Sequence, residues 1–245
     1  MIVVYSATRN LYKYLTAAIG SLRDHNDARV IVLAEDDEIG IDDVEVINVS
    51  GQTYYPPNSA NYNGLFTWMS MMRLCYVDLI PDADRVIQLD VDTIVCDSLA
   101  ELWDMDLTGK WFAACHEYQG TYRPFGEHMK YYNVGVMVVN LKQLREDNAV
   151  PEMIDYLNNH KLWCTEQDVL NLFAGERGKA VEIPIRFNET KFTGFTENPA
   201  VVHYAGYKRW YECSAAMFRW EYLDDAIRRH QLTPSVKKMR GESGG

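Results

Sequence analysis

Long apolar runs are missing from this sequence of 245 residues. No stretch reaches the ~18 apolar residues of a membrane-spanning helix, and residues 1–6 lack the basic start of a signal peptide. Contact with a membrane is therefore expected to be peripheral at most. Basic residues are also few, since 24 Lys and Arg stand against 35 Asp and Glu for a formal net charge of −11. Such a chain offers no positive footprint to a phosphate backbone, so nucleic acid is not an expected partner.

Paired cysteines and glycine-rich loops are absent as well. The five cysteines include no C-x-x-C pair, which argues against structural zinc and against a redox dithiol. Scattered thiols in odd number are typical of a reducing compartment, so we predict a cytoplasmic protein. Neither G-x-G-x-x-G nor G-x-x-x-x-G-K follows the first predicted strand. The usual dinucleotide and P-loop phosphate sites are therefore not supported.

The apolar pattern that is present predicts an α/β fold. A short β-branched run at residues 2–5 precedes a helical stripe over 11–22, and strands follow at 29–34 and 44–49. This order is typical of βαβ units with parallel strands. The later pattern predicts helices over 64–80, 151–159, from 165 onward and over 214–230, with strands at 85–90, 111–115, 133–140, 180–187 and 199–204.

Asp-x-Asp occurs three times, at residues 82–84, 90–92 and 104–106. Only the pair Asp90 and Asp92 directly follows a continuous apolar strand, at the carboxyl end where open α/β sheets bind their ligands. Two carboxylates there suit Mg²⁺ or Mn²⁺ on a diphosphate. The same residues also fit a solvated acidic turn, so the spacing alone leaves both interpretations open.

A second polar cluster follows the last predicted strand. His203 stands at its end, and Gly206 and Lys208 come next. Together they offer a metal ligand, a close backbone approach and a positive charge for phosphate. A single histidine at such a position more often has a structural role, and it is the Asp90 and Asp92 pair that favours His203 as a metal ligand.

Four segments then resemble one family, the retaining glycosyltransferases of family 8. Residues 85–103 are similar to the family's apolar strand with D-x-D and D-S-L, and residues 131–141 to its F-N-A-G-V-L-L-I-N-L strand. Residues 165–171 resemble its D-Q-D-x-L-N helix, and residues 203–210 its H-x-x-G-x-x-K-P-W close. All four stand in the family's order.

The resemblance implies a single GT-A (Rossmann-like) α/β domain with a central mixed, mostly parallel sheet flanked by helices. We place this domain at residues 1–212 and expect a C-terminal helix and flexible tail at 213–245. The implied activity moves a hexose from a UDP-sugar to a saccharide or other hydroxyl acceptor, leaving an α-linked product.

Site residues carried over from the resemblance fall into three groups. Asp90, Asp92 and His203 would hold Mn²⁺, with Mg²⁺ as second choice. Within the donor site, Tyr12 would stack on the base and Arg73 would reach the sugar and phosphate. The residues expected to bind the UDP-sugar are Ala7, Thr8, Asn10, Tyr12, Arg73, Asp90, Val91, Asp92, Gly206 and Lys208. The expected catalytic residues are Gln167, Glu166 and Asn133.

Three positions depart from the family pattern. Thr8 stands where many bacterial members have an acidic residue, which affects the expected uracil contact, and Glu166 stands where Asp is usual. The closing motif is one residue shorter and lacks its proline, so either Lys208 or Arg209 would bind the diphosphate. We favour Lys208.

The family position nearest a nucleophile holds Gln167, and an amide is a poor nucleophile. We therefore expect attack from the leaving-group face, with a phosphate oxygen accepting the acceptor's proton. The aromatic segment 117–126 is expected near the acceptor. Two other functions remain open at this point, a haloacid-dehalogenase-like phosphatase and a non-catalytic UDP-sugar-binding protein. A nucleotidyltransferase would need a glycine-rich basic loop that residues 6–10 lack.

Overall fold

The structure is a computed structural model that describes residues 1–64, 66–118, 126, 129–207, 211, 213 and 217–230. Its first elements are β1 (Ile2–Ser6), α1 (Tyr12–His25), β2 (Arg29–Ala34) and β3 (Glu45–Asn48). The three strands pair in parallel, as the βαβ pattern predicts. The remaining strands are β4 (Arg85–Leu89), β5 (Thr93–Val95), β6 (Phe112–His116), β7 (Tyr132–Asn140), β8 (Ala180–Glu182) and β9 (Val201–His203).

Seven of these strands form one central sheet in the order β3-β2-β1-β4-β7-β6-β8. Four of its six pairings are parallel, and β7 is antiparallel to both of its neighbours. Strands β5 and β9 pair separately as a small antiparallel ribbon. The predicted mixed, mostly parallel sheet is confirmed.

Helices cover both faces of the sheet. They are α2 (Trp68–Met71), α3 (Tyr76–Leu79), α4 (Ala100–Trp103), α5 (Leu141–Glu146), α6 (Val150–Asn159), α7 (Thr165–Glu176) and α8 (Trp220–Arg229). Successive residues of β1 face opposite layers, so Val3 packs with α1 and α8 while Val4 packs with the α2–α3 and α5–α7 side. No helix in the described ranges is long and apolar enough to cross a bilayer.

Three predicted elements differ from the structure, and one of them is the C-terminal helix, which was expected over 214–230 and begins at Trp220. The helix expected over 64–80 begins only at Trp68 and passes through a 3₁₀ turn, Met72–Cys75. There the Nε of Arg73 donates to the carbonyl of Ser70, which a continuous α-helix would use for its own ladder. The strand expected over 180–187 ends at Glu182 because Pro184, which has no N–H to donate, precedes a 3₁₀ turn.

The described part of the C-terminal helix packs on α1. Gly20 leaves room for the ring of His230, since a Cβ on Gly20 would stand only 2.1 Å from Cγ of that ring. His230 and Arg229 both contact the carboxylate of Asp24. Residues 214–216 and 231–245, including the tail expected to fray, lie outside the described residues. The domain boundary at residue 212 stays a prediction. The cytoplasmic location also stays a prediction, and the five cysteines on which it was based are free in the structure.

Candidate active site

The three predicted metal ligands lie together at the carboxyl end of β4. Asp90 and Asp92 occupy the turn between β4 and β5, and Thr93 lies opposite His203 in the β5–β9 ribbon. One ligand atom from each of Asp90, Asp92 and His203 lies within 4.8 Å of the other two. Nε2 of His203 is 3.2 Å from a carboxylate oxygen of Asp92 and 3.7 Å from one of Asp90.

A buried amide fixes which nitrogen of His203 faces the carboxylates. The amide nitrogen of Asn188 donates to the side-chain oxygen of Asn133 at 2.9 Å. The amide oxygen of Asn188 therefore faces Nδ1 of His203, also at 2.9 Å, and accepts a hydrogen bond from the Nδ1–H group. Nε2 then faces the carboxylates of Asp90 and Asp92, and once it has lost its proton it can offer its lone pair to a cation, as a metal-binding histidine with a hydrogen-bonded partner does.

Gly135 leaves room for this cluster. A Cβ at this position would stand 2.0 Å from Cε1 of His203 and 2.9 Å from a carboxylate oxygen of Asp90. Burial raises the pKa of Asp90, an effect opposed by the charges of Arg73 and His203. Two carboxylates and one imidazole nitrogen, held in a space that tolerates no side chain at Gly135, fit a hard divalent cation such as Mn²⁺ or Mg²⁺.

Arg73 links Asp90, in the metal cluster (our term for the candidate ligands Asp90, Asp92 and His203), to a further carboxylate, that of Glu166. Its Nη2 lies 2.8 Å from Asp90 and its Nε lies 3.4 Å from Glu166, while Nη1 donates to the carbonyl of Val134. Arg73 and Glu166 are both buried. Because a buried charge without partners is costly, each of these groups depends on the other.

Glu166 has no free carboxylate oxygen in this arrangement. One oxygen faces Arg73, and the other accepts from the hydroxyls of Ser70 and Thr165. Thr165 has a φ of 41°, a left-handed conformation that is rare for a β-branched residue and is typical of functional sites. The glutamate is thus fixed in place at the start of α7.

Gln167 is held by strand β7. Its amide oxygen accepts from the backbone N–H of Val134 at 3.1 Å, and its amide nitrogen donates to the hydroxyl of Tyr131 at 3.1 Å. That hydroxyl in turn donates to Asp168 at 2.5 Å. Further along α7, Asn171 bonds both the N–H and the carbonyl of Tyr132. The segment 165–171 therefore docks α7 on β7 and presents Glu166 and Gln167 to one cavity.

Two adjoining cavities meet at the metal cluster. A groove of about 530 Å³ is bordered by the loop after β1, and a deeper cavity of about 340 Å³ is bordered by β7 and α7. We call them the loop groove and the deep cavity. Both are lined by Phe66, Ser70, Arg73, Asp90 and Asp92.

Most predicted site residues line one of the two cavities. Thr8, Asn10 and Val91 line the loop groove, while Asn133, Glu166, Gln167, His203 and Gly206 line the deep cavity. Asn133 donates to the carboxylate of Glu117 at 2.8 Å, and Glu117 also lines the deep cavity. Lys208 and Arg209 lie outside the described residues.

Two predicted site residues that the structure describes, Tyr12 and Ala7, line neither cavity. The ring of Tyr12 lies in the hydrophobic core, and its hydroxyl accepts from the backbone N–H of Glu35. Tyr12 therefore offers no free face for stacking on a base, and it acts instead on the position of Glu35, which does line the groove. Ala7 is fully buried, and its N–H donates to the carbonyl of Leu33, so this residue extends the β1–β2 pairing.

Several lining residues carried no signal that identified them from the sequence. Leu11 and Glu35 border the loop groove, and Phe66 and Trp163 border the deep cavity. Gly135 lay within a quoted motif, but only its distance to His203 reveals why a glycine stands there. Asn188 belongs to no motif and is brought to the site by the loop before β9.

Comparison with known proteins identifies the family. The model of glycosyl transferase family 8 matches residues 2–214. The chain therefore belongs to glycosyltransferase family 8. It is 27% identical over 214 residues to a putative glycosyltransferase of Haemophilus influenzae, a match that covers 78% of this chain and 63% of that protein. It is also 27% identical over 180 residues to general stress protein A of Bacillus subtilis, covering 62% of each. The chain thus spans a little under two thirds of the length of these curated relatives.

Solved structures agree on the fold. The chain is similar to the galactosyltransferase LgtC in complex with donor and acceptor sugar analogues, with a TM-score of 0.74, 22% identity and coverage of 99% of this chain and 100% of that one. It is also similar to the glycosyltransferase GlyE of Streptococcus pneumoniae, with a TM-score of 0.68, 18% identity and coverage of 98% and 63%. The predicted GT-A fold is confirmed.

Proposed function

We propose that this chain transfers a hexose from a UDP-sugar to the hydroxyl of a saccharide or other acceptor, with retention of the anomeric configuration and with a divalent cation, Mn²⁺ before Mg²⁺. One observation carries the proposal. Asp90, Asp92 and His203 lie where the loop groove meets the deep cavity. A nucleotide in the groove and a sugar in the cavity would place the diphosphate between them beside these three residues.

Asp90, Asp92 and His203 would hold the cation. When bound, it supplies positive charge that stabilises the departing diphosphate more strongly in the transition state than in the ground state. Arg73 supports the same step, because it lines both cavities and its guanidinium is fixed by Asp90 and Glu166. Gly206, with a φ of 74°, lines the cavity and allows close backbone approach. The basic side chain that binds the diphosphate remains, as predicted, that of Lys208 or Arg209.

The surroundings of Glu166 and Gln167 favour attack from the leaving-group face. Both carboxylate oxygens of Glu166 are engaged by Arg73, Ser70 and Thr165, and an amide such as that of Gln167 is a poor nucleophile. The acceptor oxygen then bonds to the anomeric carbon as the bond to the phosphate oxygen breaks. UDP leaves with the acceptor's proton on a phosphate oxygen. Gln167 and Asn133 orient the sugar by hydrogen bonds.

Membership of family 8 sets aside the haloacid-dehalogenase-like phosphatase, whose nucleophilic aspartate belongs on the first strand and not on β4. The non-catalytic UDP-sugar-binding protein differs from the proposal in one measurable respect, which is turnover.

A panel of UDP-hexoses with Mn²⁺ and a mixture of saccharide acceptors tests the proposal. We expect release of UDP that stops on chelation, and an anomeric proton coupling in the product that identifies an α-linkage. Metal-dependent binding of UDP without release would favour the binding protein. Tight UDP binding that survives the chelator would contradict the metal site, and a β-linked product would contradict retention.

A further inference from the structure

Trp163 is a large aromatic residue held in solvent at the edge of the deep cavity. It is 63% exposed, the most exposed of the large hydrophobic residues in the described ranges, and it lines the cavity three residues before Glu166. Single exposed aromatic residues are common on protein surfaces, so exposure alone carries no argument. The backbone on either side of Trp163 carries it instead.

The segment that bears Trp163 is anchored at both ends. On one side, Asn61 is fully buried and uses its whole amide: its nitrogen donates to the carbonyls of Leu157 and His160, and its oxygen accepts from the N–H of Leu162. On the other side, the N–H of Cys164 donates to Asp168. The indole is therefore exposed because a fixed backbone holds it there.

The indole also has no partner among the described residues. No ring contact, cation contact or hydrogen bond in the described ranges involves Trp163. Two other tryptophans differ, since Trp111 donates its indole N–H to Asp147 and Trp68 stacks on Tyr62. Among the described residues, no ring stacks on the indole of Trp163 and no acceptor takes its N–H.

Its position separates Trp163 from the nucleotide. Five residues line both the loop groove and the deep cavity, whereas Trp163 lines the deep cavity and not the groove. If UDP occupies the groove and the donor hexose occupies the cavity beside Glu166 and Gln167, the edge at Trp163 is left for the molecule that approaches the sugar. That molecule is the acceptor.

We propose that Trp163 is the platform on which the acceptor stacks and that the acceptor hydroxyl belongs to a pyranose. This inference rests on the proposed function and narrows its acceptor from any hydroxyl compound to a sugar ring. A pyranose has an apolar face of C–H groups that covers an aromatic ring, and hydroxyls at its rim that accept from the indole N–H. A flexible aliphatic or peptide hydroxyl offers no such flat face.

Three variants test the platform: Trp163→Ala, the conservative Trp163→Phe, and Trp220→Ala as a matched control that removes another exposed tryptophan, at the start of α8. The probes are methyl β-glucopyranoside and methyl β-galactopyranoside, with serine amide as a hydroxyl compound without a ring. Binding is measured by ligand-observed NMR, with and without UDP and Mn²⁺, and does not require turnover.

We expect at least one pyranoside to bind the unaltered protein and serine amide not to bind. Trp163→Ala should weaken pyranoside binding about tenfold, while Trp163→Phe stays within about threefold and Trp220→Ala has no effect. In transfer assays the acceptor KM should rise by the same factor in Trp163→Ala, while the dissociation constant of UDP with Mn²⁺ changes less than twofold.

Equal pyranoside binding by Trp163→Ala and the unaltered protein would overturn the platform, as would failure of both pyranosides to bind. Preferential transfer to serine amide would overturn the sugar acceptor and leave the transferase intact. If the unaltered protein did not bind UDP in a metal-dependent way, the proposed function would be contradicted. The pyranoside titration would still decide the role of Trp163.

Discussion

The loop groove and the deep cavity adjoin, yet they are built in different ways. In the groove, Thr8 and Asn10 follow β1 and bond to each other on the surface, with the Thr8 hydroxyl donating to the Asn10 side chain at 2.6 Å. In the cavity, buried side chains from separate parts of the chain hold one another, as Asn188, Asn133 and His203 do. Apart from the residues that it shares with the cavity, the groove has polar groups on exposed loop residues such as Thr8 and Asn10, whereas the cavity depends on a buried network.

The difference follows from what each region must do under the proposed function. A nucleotide base needs contacts that do not change during the reaction, so solvent-exposed groups suffice. The bond that breaks lies beside the cavity, where charge changes, and fixed polar groups in a low-dielectric site act most strongly on a developing charge. Loss of one member of the cavity network should therefore cost much more than loss of one groove contact.

The largest effect is expected at the metal cluster. Asp92→Asn should lower turnover by at least ~10²-fold, because it replaces a charged ligand of the proposed metal site with a neutral amide and leaves Nε2 of His203 without its nearest carboxylate. Steady-state transfer assays and Mn²⁺-dependent UDP binding by calorimetry measure it. Asp84→Asn is the control, an exposed residue of another Asp-x-Asp pair. Comparable losses in both variants would show that Asp90 and Asp92 are the wrong pair.

Gly135→Ala should follow. A Cβ there would stand 2.0 Å from His203 and 2.9 Å from Asp90, and since Asp90 N–H donates to the carbonyl of Gly135, the strand cannot easily move away. We expect Mn²⁺ affinity and turnover to fall about 10- to 100-fold, the range typical when the groups that orient metal ligands are disturbed. Calorimetry in the presence of UDP gives the metal affinity, and the melting temperature shows whether the protein stays folded.

Gly51→Ala is the matched control for this glycine, since a Cβ at residue 51 would meet no atom within 4 Å. It should leave metal affinity unchanged. If Gly135→Ala behaved like Gly51→Ala, the space beside His203 would not be a condition for metal binding.

A smaller loss is expected from Asn188→Ala. This change leaves Nδ1 of His203 without its partner and removes one of the two donors to the side-chain oxygen of Asn133, so the histidine is no longer held in one tautomer. We expect Mn²⁺ affinity to fall about tenfold and the free energy of unfolding to fall by ~1–3 kcal/mol. Chemical denaturation measures the second quantity.

Asn158→Ala provides the comparison, because it also removes an amide that donates to a backbone carbonyl, that of Tyr54, away from the site. It should reduce stability without changing metal affinity. An unchanged metal affinity in Asn188→Ala would mean that His203 does not depend on the network.

The same contrast explains what the sequence could predict. The groove and the metal pair are local: Asp90 and Asp92 follow an apolar strand, and Thr8 and Asn10 follow another, so strand ends locate them. The order of elements could be predicted from the same local pattern, whereas the mixed sheet was implied by the resemblance to family 8. The cavity network joins residues distant in the chain, such as Asn133 and Asn188 at 2.9 Å, and no periodicity reports such a contact.

Burial was the other quantity that the pattern could not supply. Tyr12 and Leu11 are adjacent, and either could face the groove on sequence alone. The start of α1 at Tyr12 turns its ring into the core, where its hydroxyl accepts from Glu35, and leaves Leu11 at the groove. Trp163 had no motif, because its exposure depends on the anchoring of its loop by Asn61.

The smallest effect is expected in the groove. Thr8→Ala removes a hydroxyl whose hydrogen bond to Asn10 is exposed, and an exposed bond between neutral groups contributes little because water replaces either partner. We expect the KM for the UDP-sugar and the dissociation constant of UDP to rise less than about threefold, with kcat unchanged. Thr108→Ala removes another exposed threonine hydrogen bond, from Thr108 to the carboxylate of Asp106 at 2.6 Å, and Thr108 does not line either cavity, so it should change neither constant. A loss of tenfold or more in Thr8→Ala would contradict the contrast between the two regions. It would mean that the groove, like the cavity, binds its ligand through a fixed polar group, and that Thr8 carries a base contact for which no acidic residue is needed.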